Sequence, residues 1–519
     1  MRLSTSLIDG GRTVINTSAI CRTRRARAKE GGGDATILSS VINLLNTIVG
    51  AGTLAMPSVM SRMGVGLGIF MIVWSGITAA FGLYLQSRCA RYLDHGKSSF
   101  FALSQITYPN LAIIFDAAIA IKCFGVGVSY IIIIGDLMPG VMIGFNRYAE
   151  EIPYLVDRKF WITAFMLPVI LLAFLKRLDS LKYTSLIALV SIGYLVILVV
   201  YHFLVDDLSE RGPIRIFEWE GPVSMLSSLP VVVFAYTCHQ NMFSILNELS
   251  DDSPGGVITV VGSSIGSAAS IYILVAITGY LTFGNEVAGN IVSMYGASIA
   301  STIAKAAIVV LVTFSIPLQI HPCRASIDAV ANWRPNGGRS KNAAPPSGSR
   351  PLLPSASNDA ARQDNGGSHA MSELRFAVIT TVIIILSYIT ALSVSSLDRM
   401  LAYVGSTGST SISFILPGLF YYKISDPEGI HHQRLSKESD DLDAAGSDHE
   451  EEPAMAMSLR SFVSTASATL SPRRWRAWRW DLEHVDHGLL RKLALCLSYY
   501  GVAVMVVCLV MNTWFSVTH

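Results

Sequence analysis

Residues 36–60, TILSSVINLLNTIVGAGTLAMPSVM, hold the arrangement with the most chemical content in the chain. An apolar run from Ile37 is interrupted by Gly50-Ala51-Gly52-Thr53 and resumes to Pro57, with Asn43 and Asn46 one turn upstream. Two glycines loosen the helical ladder and leave main-chain amides without acceptors. Amides at a half-helix N-terminus carry positive partial charge and hold anionic groups. A second polar cluster, Tyr236-Thr237-Cys238-His239-Gln240-Asn241, follows Pro230 inside LSSLPVVVFAYTCHQNMFSILNEL. Such a cluster in an apolar span is costly unless it lines a cavity. Asp116, Lys122, Asp136, His239 and Lys305 add ionisable groups at similar depth. His239 can titrate near neutral pH and serve as a proton-sensitive gate, or simply bond a neighbouring helix. Asp116 and Asp136 are candidate proton relays, or interfacial residues near the ends of a long span. This chemistry is reversible binding and proton handling without covalent steps.

The elements that position these groups must be membrane helices. The chain has 519 residues, of which 51% are hydrophobic and only 15% charged, where a soluble protein carries about 25% charged residues. Apolar runs of spanning length occupy 36–60, 65–92, 111–144, 160–175, 183–204, 224–247, 257–283, 298–320, 374–394, 398–422 and 489–513. A bilayer core about 30 Å thick needs roughly 20 apolar helical residues. The glycine pair therefore lies mid-membrane. There, unwound backbone is tolerated only where protein or a polar cavity surrounds it, and broken helices mark transporter binding sites. Close helix packing on small residues is the plainer reading of the same glycines.

Basic residues set the orientation. With the N-terminus in the cytosol, 30 of the 39 Lys and Arg fall on the cytosolic side and 7 on the opposite side, as the positive-inside rule requires. An odd span count then puts the C-terminus on the luminal or exoplasmic face. No secretory signal precedes the first span, and Arg22, Arg24, Arg25 and Arg27 read as a cytosolic flank better than as a mitochondrial presequence. The net charge of +2 gives no footprint for nucleic acid. The seven cysteines show no metal-ligand or disulfide spacing, so no metal and no cofactor are expected. Three stretches lie outside the spans: a disordered N-terminus at 1–35, a Pro, Gly and Ser-rich loop at 333–371, and an insertion at 425–488. The insertion begins acidic and ends with Arg473, Arg474, Trp475, Arg476, Trp478, Arg479 and Trp480, a composition suited to lipid headgroups. The domain reading is therefore spans one to eight at 36–332, spans nine and ten at 372–424, and the last span with a luminal tail at 489–519.

Four co-linear motifs carry a family resemblance: NLLNTIVGAGTLAMP, FAYTCHQNMFSILNEL, FSIPLQIHPCR and YVGSTGSTSISFILPGLFYYK. Together the chain resembles the amino acid/auxin permease family, in particular its fungal vacuolar amino acid transporters and the animal sodium-coupled neutral amino acid transporters. The resemblance covers about 35–424 and 489–513. It implies an all-α polytopic fold of 11 transmembrane helices, leucine-transporter-like, with a 5+5 inverted repeat in which helices 1 and 6 are discontinuous. Five spans separate the two candidate breaks, as such a repeat requires. It further implies that the amides of Gly50, Ala51, Gly52 and Thr53 hold an amino acid carboxylate. Carbonyls near Phe234, Ala235, Tyr236 and Thr237 would take the substrate ammonium, with Asn46 beside them. Asn46 with Thr313 or Ser315 would form the coupling-ion site of the sodium-coupled relatives, whereas the fungal relatives are linked to protons. The expected function is proton-coupled secondary active transport of amino acids across the vacuolar membrane, with lipids and H+ or Na+ as the other partners. A sodium-coupled plasma-membrane transporter and a transporter-like amino acid sensor are the alternatives. A channel suits two broken helices less well. An enzyme is not expected, since there is no HExxH helix, no phosphate-cradling loop and no serine nucleophile at a strand-to-helix elbow.

Overall fold

A computed structural model describes residues 35–93, 98–109, 112–175, 184–205, 212–251, 253–332, 373–394, 396–429, 433 and 487–518. The stretches 1–34, 333–372 and 434–486, which contain the two insertions and the Arg/Trp segment, lie outside the described residues. The described chain is helical, and its one β-bridge joins Ala35 to Leu249.

The first span is two helices, α1 (Ile37–Ile48) and α2 (Ala51–Met63), bent by 56° at Val49-Gly50. Thr36 starts α1 by accepting from the Ser39 amide at 3.2 Å, the usual N-cap arrangement. At its far end α2 turns into α3 (Val65–Ala90) through Gly64 at φ 74°. Only glycine fits there, because a Cβ would run into the Glu218 carbonyl. The short α4 (Phe100–Thr107) leads to α5 (Ala112–Phe145), then α6 (Arg158–Ala173) and α7 (Thr184–Val205). The second break separates α8 (Pro222–Ala235) from α9 (His239–Glu248). Only Tyr236, Thr237 and Cys238 are non-helical there, half the width of the polar cluster. Next come α10 (Pro254–Phe283), α11 (Ile299–Asn332) and α12 (Glu373–Ser393).

The run from α13 (Leu397–Val404) to α14 (Leu416–Ile424) is interrupted by two π segments, Gly405–Ser409 and Ser411–Ile415. Wide turns of this kind concentrate at functional sites. The last helix is α15 (His487–Thr518).

Eight spans among the described residues are long and apolar enough to cross a membrane, and the bent α1–α2 pair makes a ninth. The α8–α9 pair counts as one of the eight. Of the other expected spans, α6 has only 16 residues and the 397–424 run is split by its π turns.

The two longest helices, α5 and α11, have 34 residues each and pack against one another. At 1.5 Å per residue each is about 50 Å long, enough to cross a bilayer while tilted. Leucines and isoleucines such as Leu171 and Ile197 face outward, as lipid contact requires. The core gathers instead around α2, α5, α8 and α10.

Candidate functional site

A cavity of about 610 Å³ lies between the two broken spans, within the size range of small-molecule sites. Its walls are Asn46 to Gly52 at the first break, Phe234, Ala235 and Thr237 at the second, one face of α5, and the Ile308–Ser326 side of α11. It runs toward the membrane face from which α1 starts, past Asn43, Ser244, Asp116 and Phe101.

At the first break, Ala51 and Gly52 are the first two residues of α2, so their amides have no acceptor within the helix. Both line the cavity. Thr53 does not, and its amide is committed to the Gly50 carbonyl at 3.0 Å. Of the four expected residues, Gly50, Ala51 and Gly52 therefore line the cavity and Thr53 does not. Gly50 has open space where a Cβ would project. Gly52 has none: a Cβ there would lie 2.6 Å from Ala235 Cβ and 2.9 Å from Ala235 Cα. The glycine therefore serves a second purpose, letting the two breaks touch.

The second break offers less than its composition promises. The Thr237 hydroxyl lines the cavity, donating to the Val233 carbonyl at 2.8 Å and lying 3.3 Å from Ser413 Oγ. Tyr236 is fully buried, with its ring against Gly76 and edge-on to Tyr272, off the cavity wall. The carbonyls at both breaks are served by a residue that the motifs do not flag. The Tyr272 hydroxyl of α10 lies 2.7 Å from the Ile48 carbonyl and 2.8 Å from the Ala235 carbonyl, its single proton shared between the ends of α1 and α8. A lone tyrosine in an apolar span carries no local signal for this role, since both acceptors are distant in sequence. Tyr272→Phe should strip those buried carbonyls of their donor and cost about 1–3 kcal/mol. The melting temperature of the purified protein should fall accordingly, and an unchanged value would show that the bridge is dispensable.

Several ionisable and polar candidates sit elsewhere than a cavity role requires. His239 is fully buried, with Nε2 at 3.2 Å from the Ala79 carbonyl, while its own carbonyl accepts from Gln86 at 2.9 Å. It ties α9 to α3 and is not on the cavity wall, so the plainer reading of the sequence fits it. Asp136 accepts from Arg158 Nε at 2.8 Å and is likewise off the wall. A carboxylate held by a guanidinium is a structural pair more than a relay. Thr313 donates to the Val309 carbonyl and Ser315 to the Leu311 carbonyl, both within α11, and of the two Ser315 lies on the cavity wall. Asn46 lines the cavity with Oδ1 buried and without a hydrogen-bond partner. Asp116 and Lys122 share the cavity face of α5, and Lys305 is tied to the Tyr295 carbonyl at 2.7 Å.

The opposite membrane face is closed. Arg62 at the end of α2 pairs with Asp398 at the start of α13, and Ser396 also donates to Asp398. The segment before α8 covers this end, with Glu220 N on the Arg62 carbonyl at 3.1 Å and Arg215 on the Ser61 carbonyl at 3.2 Å.

Residues 33–439 match the family described as "Transmembrane amino acid transporter protein". The chain belongs to this family. It is a family of transporters and not of enzymes. Vacuolar amino acid transporter 5 of Schizosaccharomyces pombe is 45% identical over 394 residues, covering 76% of this chain and 86% of the relative. Vacuolar amino acid transporter 6 of Saccharomyces cerevisiae is 43% identical over 412 residues, covering 76% and 91%. Sodium-coupled neutral amino acid symporter 2 of Danio rerio is more distant, 22% identical over 439 residues, covering 78% and 79%. Within this family member, both breaks, the π segments and the cavity all fall inside the matched residues.

Proposed function

We propose that this protein is a secondary active transporter that moves L-amino acids across the vacuolar membrane by alternating access, coupled to protons. The observation that carries the reading is the cavity between the two breaks, with the unpaired amides of Ala51 and Gly52 at one wall. A zwitterion fits such a site: amides at a helix start hold its carboxylate, and carbonyls at a helix end accept from its ammonium. The relatives' names supply the substrate class and the membrane.

In this reading the bent first span, the α8–α9 span, α6, the π-interrupted span and the other long helices make eleven crossings, arranged as a 5+5 repeat with one added helix. Lysine and arginine counts place the N-terminus in the cytosol and the C-terminus in the lumen. The cavity then opens to the cytosol, and the Arg62–Asp398 pair seals the lumen.

A second reading has a specific observation in its favour. The unpartnered Asn46 Oδ1 and the Ser315 hydroxyl both face the cavity, and neutral oxygens suit a sodium ion. Uptake of labelled amino acids into proteoliposomes, with pH and sodium gradients varied separately, tests the two. The expected result is uptake driven by the pH gradient without sodium. A strict sodium requirement, lost in Asn46→Ala, would replace the proton reading with the sodium one.

A further inference from the structure

Lys122 is the exception among the buried cations. It is 4% exposed and lies in the first third of α5 on the wall of the cavity. No hydrogen bond or ion pair joins it to any described residue. The other buried cations are fixed: Lys305 bonds the Tyr295 carbonyl, and Arg324 bonds the Ala173 carbonyl and Thr380. Evolutionary packing of a lysine stem does not require leaving its ammonium inside the protein, because a stem can be replaced by methionine or leucine at similar volume. Its Nζ is not among the sealed polar atoms and opens on the cavity; an ammonium there without a protein partner is costly, and lysine is the basic side chain that gives up its proton most readily in such surroundings.

The surroundings focus on this residue. A Cβ at Gly408 would lie 2.7 Å from Lys122 Cβ and 2.8 Å from its backbone nitrogen. Glycine at 408 therefore lets the first π segment lie directly on the lysine stem. Facing groups that can titrate are few. Span α9 and its break bring His239 and Cys238, both within electrostatic reach. On α5 itself are Cys123, Tyr130 and Asp116, and α11 adds Cys323, bonded to the Ala120 carbonyl at 3.5 Å. The α1–α2 span and the π segments bring no ionisable side chain to the cavity. Arg158 on α6 is held by Asp136, and Arg62 at the closed end by Asp398. Among these, Asp116 is the carboxylate on the same cavity wall, six residues nearer the open end, or about 9 Å along the helix.

We propose that Lys122 is the proton-carrying residue of the transport cycle, its ammonium serving as the cation that other transporters take from solution. This rests on the proton-coupled reading above. In the step, an Nζ–H bond breaks and an O–H bond forms on a cavity water. The nitrogen keeps the electron pair, and the positive charge leaves as hydronium toward Asp116 and the open face. Reprotonation occurs when the cavity faces the other side.

The test uses the full-length protein in sodium-free proteoliposomes, with the twenty L-amino acids offered singly in labelled form. For one proton per substrate, a one-unit pH gradient sustains about tenfold accumulation. Wild type should reach about that figure with its best substrate. Lys122→Gln and Lys122→Arg should both fail to accumulate, the first having no proton to carry and the second not releasing one. Both should keep the wild-type melting temperature, which shows that they fold. Accumulation by Lys122→Gln equal to wild type overturns the proposal. So does a melting temperature lowered in both variants, which assigns Lys122 a structural role. Wild-type flux that ignores the pH gradient overturns the proposal while leaving amino acid transport standing. Wild-type vesicles that neither exchange nor accumulate any of the twenty defeat the transporter reading itself.

Discussion

Gly50→Leu is expected to abolish amino acid uptake while leaving the purified protein as stable as wild type. A Cβ at position 50 meets nothing within 4 Å, so the new side chain extends into the cavity beside the amides of Ala51 and Gly52. Leucine fills the space that the carboxylate needs without pushing on a helix. Gly52→Ala is expected to behave in the opposite way. Its Cβ would sit 2.6 Å from Ala235 Cβ and force the two breaks apart, an overpacking that costs about 1–3 kcal/mol. It should lower the melting temperature and uptake together. Uptake in proteoliposomes beside thermal melting separates the two effects. Normal uptake by Gly50→Leu would mean that the first break is a packing feature and not a binding site.

Arg62→Ala is expected to open the closed face. Asp398 is nearly buried, with 6% of its side chain exposed, while Arg62 is 31% exposed. Removing one partner of a buried pair costs about 3–5 kcal/mol because the other charge is stranded. The exposed guanidinium puts this pair at the lower end, about 3 kcal/mol. Since about 1.4 kcal/mol is a factor of ten in an equilibrium constant, the closed-to-open ratio on that face should fall by about a hundredfold. A cysteine placed at Ser227, in the small cavity beside the pair, should react at least tenfold faster with an impermeant thiol reagent added on that side. The exchanged pair Arg62→Asp with Asp398→Arg should recover part of the protection. Equal labelling in wild type and Arg62→Ala would show that the pair does not hold that face shut.

The first break was legible because it is local: two glycines two positions apart, with asparagines one turn away, interrupt a single run. Its helix boundary falls at Gly50, where those residues put it. The second was legible as a place but not as a geometry. Six polar residues announced it, yet helix resumes at His239, and that side chain turns to the Ala79 carbonyl instead of the cavity. The π turns were hidden in a motif that reads equally well as an ordinary small-residue helix, because π and α turns differ in hydrogen-bond register and not in residue type. Asp136 and Lys122 looked alike in the sequence, as charges within one apolar run. What divides them is whether a partner arrives from elsewhere in the fold: Arg158 reaches Asp136, and among the described residues no hydrogen bond or ion pair reaches Lys122. Tyr272 could not be found at all from its neighbours, since its meaning lies in the Ile48 and Ala235 carbonyls.

The most direct test of amino acid transport through this cavity is a comparison of binding and flux on one preparation of wild-type protein. Stabilisation by each L-amino acid in a thermal melt reports binding, and labelled uptake into proteoliposomes reports movement. The account predicts that the amino acids that stabilise the protein are the ones accumulated, and that Gly50→Leu loses both responses. Stabilisation without any flux would contradict it and make the protein an amino acid sensor built on a transporter fold.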